Sequence, residues 1–234
     1  MPCGLRGCLL YKQIKLVDCI RPMAVSFDPN CTRCDRLAKH LSEIRIRYPK
    51  YHARPVPSFG AAPSQFLIVG LAPGMHGANA TGRPFTGDHA GLLLYASLYE
   101  AGFASHPDAV AAGEALVLKN CRITNAVRCL PPANKPQGIE VTRCNSYLAQ
   151  ELDQVSRPGL ILALGTIAHR AVLKAVHRKL SAFPFRHGSE YDVLDGLRLL
   201  SSYHCSRYNT QTRRLTEAMF REIIERAARY LKAC

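Results

Sequence analysis

Cysteine, glycine and histidine supply the most legible chemistry in this chain. Cys31-Thr-Arg-Cys34 is a Cys-x2-Cys pair, and the tight turn between its members brings two thiolates within reach of one metal centre. The chain has ten cysteines. With no export signal legible, they read as metal ligands, redox thiols or buried residues and not as disulfides. Cys129 stands just before Pro131-Pro132 and Cys144 near the start of an amphipathic helix, and both can converge with the pair on one site. Cys121 lies in an alternating, strand-like stretch and reads as a small buried hydrophobe. Spacing alone leaves Cys3, Cys8, Cys19, Cys205 and Cys234 open as further members of the set.

Three further segments carry groups that can hold a ligand. From Gly70 to Asp88 the chain places Gly74, Gly77, Gly82 and Gly87, a density that lets backbone N–H groups approach an anion. It is neither a Walker loop nor a dinucleotide fingerprint. Phe85, between Pro84 and a glycine turn, either offers a flat face to a base or packs in the core. Asn125 has the donor and acceptor of an amide, which suit a base edge or a turn. The segment from Ser202 to Arg214 joins His204 to polar, basic and aromatic residues, a mixture suited to phosphate contact and to insertion into a duplex. His204 itself is open between a catalytic and a structural reading.

These segments need a frame. Phe66 to Leu71 is a continuous apolar run ending at glycines, as in a strand buried on both faces of a parallel sheet. Further strands are expected over 117–127, 160–164 and 197–203. Helices are expected over 33–47, from His89 with Asp88 as N-cap, and over 137–155, 166–180 and 212–232. Prolines 49, 55, 57 and 63 make 48–64 a linker or surface arm. The alternation gives an α/β chain: a three-layer αβα sandwich with a central, mostly parallel four-stranded sheet, binding at the strands' carboxyl ends, in the loops after the first, second and fourth strands. One domain spans residues 1–234.

Composition narrows the partners. The 31 Lys+Arg against 17 Asp+Glu give a formal charge of +14, whose natural complement is a polyanion, nucleic acid first; a basic enzyme without such a partner is the competing reading. Hydrophobic residues at 47% and charged residues at 21% exclude disorder, collagen and coiled coil. Apolar runs such as 160–164 are far shorter than the roughly 20 residues of a membrane span. The N-terminal apolar stretch is broken by Lys12, Lys15 and Asp18, unlike a signal peptide. A cytoplasmic chain follows.

Taken together, three motifs give the chain a family likeness. Gly70-Leu71-Ala72-Pro73-Gly74 with His76-Gly77 and Thr81-Gly82-Arg83-Pro84-Phe85-Thr86-Gly87-Asp88, then Thr124-Asn125-Ala126-Val127-Arg128-Cys129, then His204 with Ser206, Asn209 and Thr212, follow one another in order. In them the chain resembles the family 5, or type b, uracil-DNA glycosylases of the iron-sulfur branch. The resemblance implies a 4Fe-4S cluster on Cys31, Cys34, Cys129 and Cys144 that ties in the N-terminal segment, and it favours iron-sulfur over zinc. It departs from the family at His204-Cys205-Ser206, where proline is usual in the middle; loss of its fixed φ should loosen the loop.

The resemblance also implies a division of labour. Phe85 stacks on an extruded base, the loop of Gly70, Ala72 and Gly74 lines its pocket, Asn125 bonds the base edge, and His204 stabilises the departing anion. Asn79 is the matched position for contact with water or the sugar. Family 4 enzymes carry a carboxylate where Leu71 stands, so water would be captured late, after a cation-like transition state. Arg207, Arg213 and Arg214 would contact phosphates, and Arg207 or Tyr208 would fill the gap in the duplex. The expected substrate is double-stranded DNA with uracil, hypoxanthine or other modified bases, met by a nucleoid-associated monomer. The alternative is a non-catalytic, zinc-stabilised nucleic-acid-binding protein.

Overall fold

Four consecutive apolar residues, Phe66 to Val69, are each fully buried, because their alternating side chains feed two separate cores. Phe66 and Ile68 join Leu94, Leu162 and Phe220 on one side. Leu67 and Val69 join Leu37, Leu148 and Val172 on the other. Only a strand covered by helices on both faces asks for such a sequence. The computed structural model describes residues 26–108 and 115–233; the readings of Cys3, Cys8, Cys19, Cys234 and the N-terminal apolar stretch fall outside them.

In chain order the elements are α1 (Asp35–Arg47), β1 (Ser64–Gly70), α2 (Ala78–Thr81), α3 (His89–Glu100), β2 (Cys121–Asn125), α4 (Gly138–Asp153), β3 (Val155–Leu164), α5 (Thr166–Ala175), β4 (Glu190–Leu194), β5 (Leu197–Ser202), α6 (Arg207–Gln211) and α7 (Glu217–Lys232). The sheet runs β2-β1-β3-β5-β4. The first four strands in that order are mutually parallel. The α/β class and the layered arrangement agree with expectation, but the sheet has five strands and not four. The added strand, β4, pairs antiparallel with β5 at the edge. Its residues Glu-Tyr-Asp-Val-Leu bury only Val193, so it lacks the apolar run that marks its neighbours. A two-residue Asp195-Gly196 turn joins it to β5, with Gly196 at φ +64°, a hairpin signal passed over in favour of hydrophobicity.

Local chemistry sets the other boundaries. Asp88 caps α3 by accepting from the Gly91 N–H at 2.9 Å, as expected. The helix expected over 166–180 ends at Ala175, with His177 left-handed at φ +55°. The one expected over 212–232 begins at Glu217 behind a Thr216 cap, and a separate turn of helix, α6, precedes it. Residues 48–64 are irregular but are no surface arm. Ala53 and Val56 are buried, the Val56 N–H donates to the Arg128 carbonyl, and Phe59 exchanges backbone bonds with Ile123. The prolines leave those N–H groups in place, so the segment straps down the outer side of β2. Among the described residues no helix is long and apolar enough to cross a membrane.

Under the strap lies a buried ion network. Glu151 of α4 receives Arg128 at 2.8 Å and Arg122 at 2.5 Å, and the Ser58 hydroxyl donates to it as well. Burial pulls the Glu151 carboxyl upward, and the two guanidiniums more than reverse it, holding it below its ordinary value. Such an ion set is sensitive to loss of one member. Glu151→Ala should destabilise the fold by about 3–5 kcal/mol at neutral pH, read by urea unfolding. Because the folded carboxyl is the stronger acid, its contribution is present above the unfolded value and disappears as pH falls through the folded one. The difference between the two proteins should therefore shrink in acid; a constant difference would exclude the network as its cause.

Candidate active site

β1, β2, β3 and β5 all point their carboxyl ends to one edge, and there a cavity of about 930 Å³ opens. Ala72, Gly74, Phe85, Asn125 and His204 line it. Its floor depends on Gly70, which is buried beneath the wall and is not part of it. A Cβ at Gly70 would stand 2.4 Å from Asn125 Oδ1 and 2.7 Å from the Phe85 ring. Glycine at the end of β1 is what allows the amide and the ring to meet. The expected lining role of Gly70 is thus corrected to clearance.

Phe85 is held in a left-handed conformation at φ +54°, which costs free energy in a bulky residue and must be held by its surroundings. They do so closely. The Tyr95 hydroxyl donates to the Pro84 carbonyl at 2.9 Å, and Arg83 Nε to the Thr86 hydroxyl at 2.9 Å. A Cβ on Gly91 would lie 1.8 Å from the Phe85 carbonyl oxygen, so α3 seats against the loop only there.

His204 follows β5, its ring 5.9 Å from that of Phe85 and inclined by 24°. The residue is partly accessible through the cavity, but Nδ1 is sealed away with no partner among the described residues. Burial pushes its pKa down to about 4, so the imidazole is neutral near pH 7. Asn209 Nδ2 donates to the His204 carbonyl at 2.8 Å, and Ser206 caps α6. Cys205, where the family has proline, is held by contacts of its own. Its thiol is buried and lies 3.5 Å from the Ala90 carbonyl, pinning the loop to α3 where proline would have stiffened it.

Other expected residues separate into two groups. Arg207 and Tyr208 line the cavity mouth, and Tyr208 is 71% exposed. Arg213 and Arg214 are exposed outside it, with the Arg214 guanidinium 4.6 Å over the Tyr203 ring. Asn79 does not reach the cavity. It lies wholly buried in α2, Nδ2 facing the Met75 carbonyl at 3.4 Å, Oδ1 without a partner among the described residues. Contact with water or sugar is corrected to a role in seating the loop, since its backbone N–H also binds the Gly74 carbonyl. Asp88 lines the cavity; burial raises its pKa against the pull of the Gly91 and Ala90 N–H groups.

Sequence reasoning missed the loop after β3, where Gly165, Thr166 and Ile167 form one wall, and also Asn134 and His89. His89 Nε2 meets the Thr210 hydroxyl at 3.0 Å, joining α3 to α6. The apolar strand ending at Gly165 was a signal, since every parallel strand contributes a loop to this edge.

On the far side of the β2 exit, Cys31, Cys34, Cys129 and Cys144 line a second, small cavity with Arg33, Arg143 and Tyr147. Burial raises the Cys129 thiol first, and the other three sulfurs add to it. Arg33 Nε lies 3.5 Å from Cys31 Sγ, and the Arg128 N–H donates to Cys144 Sγ at 3.3 Å. Four converging sulfurs whose anions repel one another fit a cationic centre that would hold them as thiolates.

A family model described as the uracil DNA glycosylase superfamily matches residues 57–228. The chain belongs to that superfamily. A type-5 uracil-DNA glycosylase of Thermus thermophilus is 45% identical over 204 residues, covering 85% of this chain and 93% of the relative. One from Pyrobaculum aerophilum is 40% identical, covering 85% and 88%. A type-4 uracil-DNA glycosylase of Saccharolobus solfataricus is 29% identical, covering 75% and 77%. The glycosylase motifs after the strap thus coincide with the walls of the large cavity.

The depressed His204 value has a direct test. A nuclear magnetic resonance titration of its imidazole should show no protonation until about pH 4. Because the unfolded chain takes up that proton first, near 6.5, this residue should cost stability as pH falls from 6.5 toward 4. An inflection near 6.5 in the folded protein would overturn the assignment.

Proposed function

We propose that this chain is a type-5 uracil-DNA glycosylase that extrudes uracil from DNA and hydrolyses its N-glycosidic bond, starting base-excision repair. The observation that carries the proposal is the meeting of Phe85, Asn125 and His204 in one cavity over the bare backbone of Gly70. An extruded pyrimidine needs an aromatic face, a partner for its Watson–Crick edge and a donor for its carbonyl oxygen, and these side chains are of those kinds.

The reaction is a charge displacement. As the C1′–N1 bond breaks, its electron pair moves onto the uracil ring and reaches O2. A neutral His204 donates a hydrogen bond there, and that bond strengthens as the negative charge grows. Water then adds to the sugar cation, and its proton passes through solvent to the departed uracil anion, which leaves as neutral uracil. Leu71, on the cavity wall, has no proton-accepting group, and the Asp88 carboxylate on the same wall is engaged in capping α3 through the Gly91 N–H, so we read leaving-group stabilisation as the main source of the rate. A cavity of about 930 Å³ leaves room for a purine as well as a pyrimidine, which supports hypoxanthine and other deaminated bases as further substrates.

Cys31, Cys34, Cys129 and Cys144 would hold a 4Fe-4S cluster, and when bound it supplies a covalent tie between the N-terminal segment, the β2 exit and α4. What supports this reading is that all four cysteines line one small cavity; among the described residues no three His, Cys, Asp or Glu side chains close on a single metal ion. We read residues 1–234 as one domain joined in this way. All the side chains invoked belong to one copy, so a monomer suffices. Arg207, Arg213, Arg214 and Tyr208 bear on double-stranded DNA, and the charge of +14 would hold the protein at the nucleoid.

The deciding experiment incubates the purified protein with duplexes carrying uracil, hypoxanthine or thymine opposite guanine. Uracil should be released; no release from any duplex would end the proposal. His204→Ala should lower the single-turnover rate by about 10²–10³ and Asn125→Ala by about tenfold or more. Each of Arg207→Ala, Arg213→Ala and Arg214→Ala should reduce the salt slope of binding by about 1. Cys144→Ser should remove the brown colour of anaerobically purified protein; colourless wild-type protein containing zinc would favour the metal-stabilised binding module instead.

A further inference from the structure

At the mouth of the cavity, outside the groups assigned above, stands His76. It is exposed, lines the opening and belongs to the glycine loop. Its Nδ1 lies 2.8 Å from the Tyr51 hydroxyl. Tyr51 stacks on Tyr48 with ring centres 4.7 Å apart. Both tyrosine rings stand nearly perpendicular to the imidazole, at 86° and 80°. The Arg47 guanidinium lies 5.5 Å from the Tyr48 ring centre. An exposed histidine rarely has so defined a setting.

The arrangement selects the chemistry it can offer. When the Tyr51 hydroxyl donates to Nδ1, the ring proton stays on Nε2, so the imidazole presents one fixed N–H donor. The tyrosines have turned a face to each other and are not an open platform for a base. What remains is an oriented donor at the rim of an extrusion pocket, and this is chemistry for an anion.

We propose that His76, oriented by Tyr51, donates from Nε2 to a phosphodiester flanking the extruded nucleotide. The proposal rests on the glycosylase reading and names a contact for its substrate strand. Tyr51 acts through His76 and is a positioning residue.

The test uses duplexes with 2′-fluoro-2′-deoxyuridine, which resists excision, and replaces either flanking phosphate by an uncharged methylphosphonate. For wild-type protein, one of the two replacements should weaken binding about tenfold or more. His76→Ala should bind the native duplex weaker by a similar factor and be indifferent to that replacement. Tyr51→Phe, which keeps the ring stack but not the hydroxyl, should fall between, and His76→Gln, which keeps an N–H donor, should recover part of the loss. Binding by His76→Ala equal to that of wild type, or an equal cost of the methylphosphonate in both, would overturn this contact while leaving excision intact. Failure of wild-type protein to excise uracil from the unmodified duplex would overturn the glycosylase reading itself.

Discussion

The end of β1 has room for a hydrogen atom and nothing larger. That clearance at Gly70 lets the Asn125 amide and the Phe85 ring approach one backbone from two directions, and the geometry of the cavity follows from it. Phe85 can stay there only in a left-handed conformation, which is tolerated because α3 closes over its carbonyl at another bare position, Gly91. Asp88 starts α3 at the required place by capping the Gly91 N–H. A succession of close backbone approaches therefore does what a larger protein could do with bulk packing. Within the loop Gly77 likewise leaves room for the Asp88 side chain, whereas Gly82 and Gly87 supply left-handed turns at φ +75° and +80°.

Two electrostatic regimes meet at this edge. Outside, the surplus of cations attracts a polyanion over many ångströms. Inside, burial favours uncharged forms: His204 is driven down and Asp88 upward. An uncharged donor suits a reaction in which charge appears only as the bond breaks. Its hydrogen bond to a neutral carbonyl is modest in the ground state and grows with the developing anion, so little of its strength is used on binding alone. In the proposed reaction, long-range attraction would assemble the complex and the short-range donor would act afterwards.

Much of this frame was legible from residue types. β1 and β3 carry apolar runs that only two-sided burial explains, and Asp88 before a helical stretch announced its cap. What hydrophobicity could not reveal was β4, whose Glu190 and Asp192 pair with Arg198 at the sheet edge and bury almost nothing. It also missed α6, five polar residues held by a serine cap and by Asn209. Asn79 shows a different limit. Spacing along a motif says how far a residue is from its neighbours in chain length but not which way it turns, and a single helical turn directs this amide inward. The residues between 48 and 64 were misjudged because prolines exclude regular ladders without excluding burial.

The two cavities are tied through Arg128. Its guanidinium is paired with Glu151 of α4, its carbonyl accepts from Val56 of the strap, and its N–H donates to Cys144 Sγ. Asn125 stands three residues before it and Cys129 one after. The stretch from Asn125 to Cys129 is short, so the sulfur site and the amide on the cavity wall are held by the same few residues. The buried ion network resists displacement from the other side, because Arg128 cannot leave Glu151 without stranding a charge. A cluster on the four cysteines would thus bear on the proposed reaction by helping to fix where Asn125 stands.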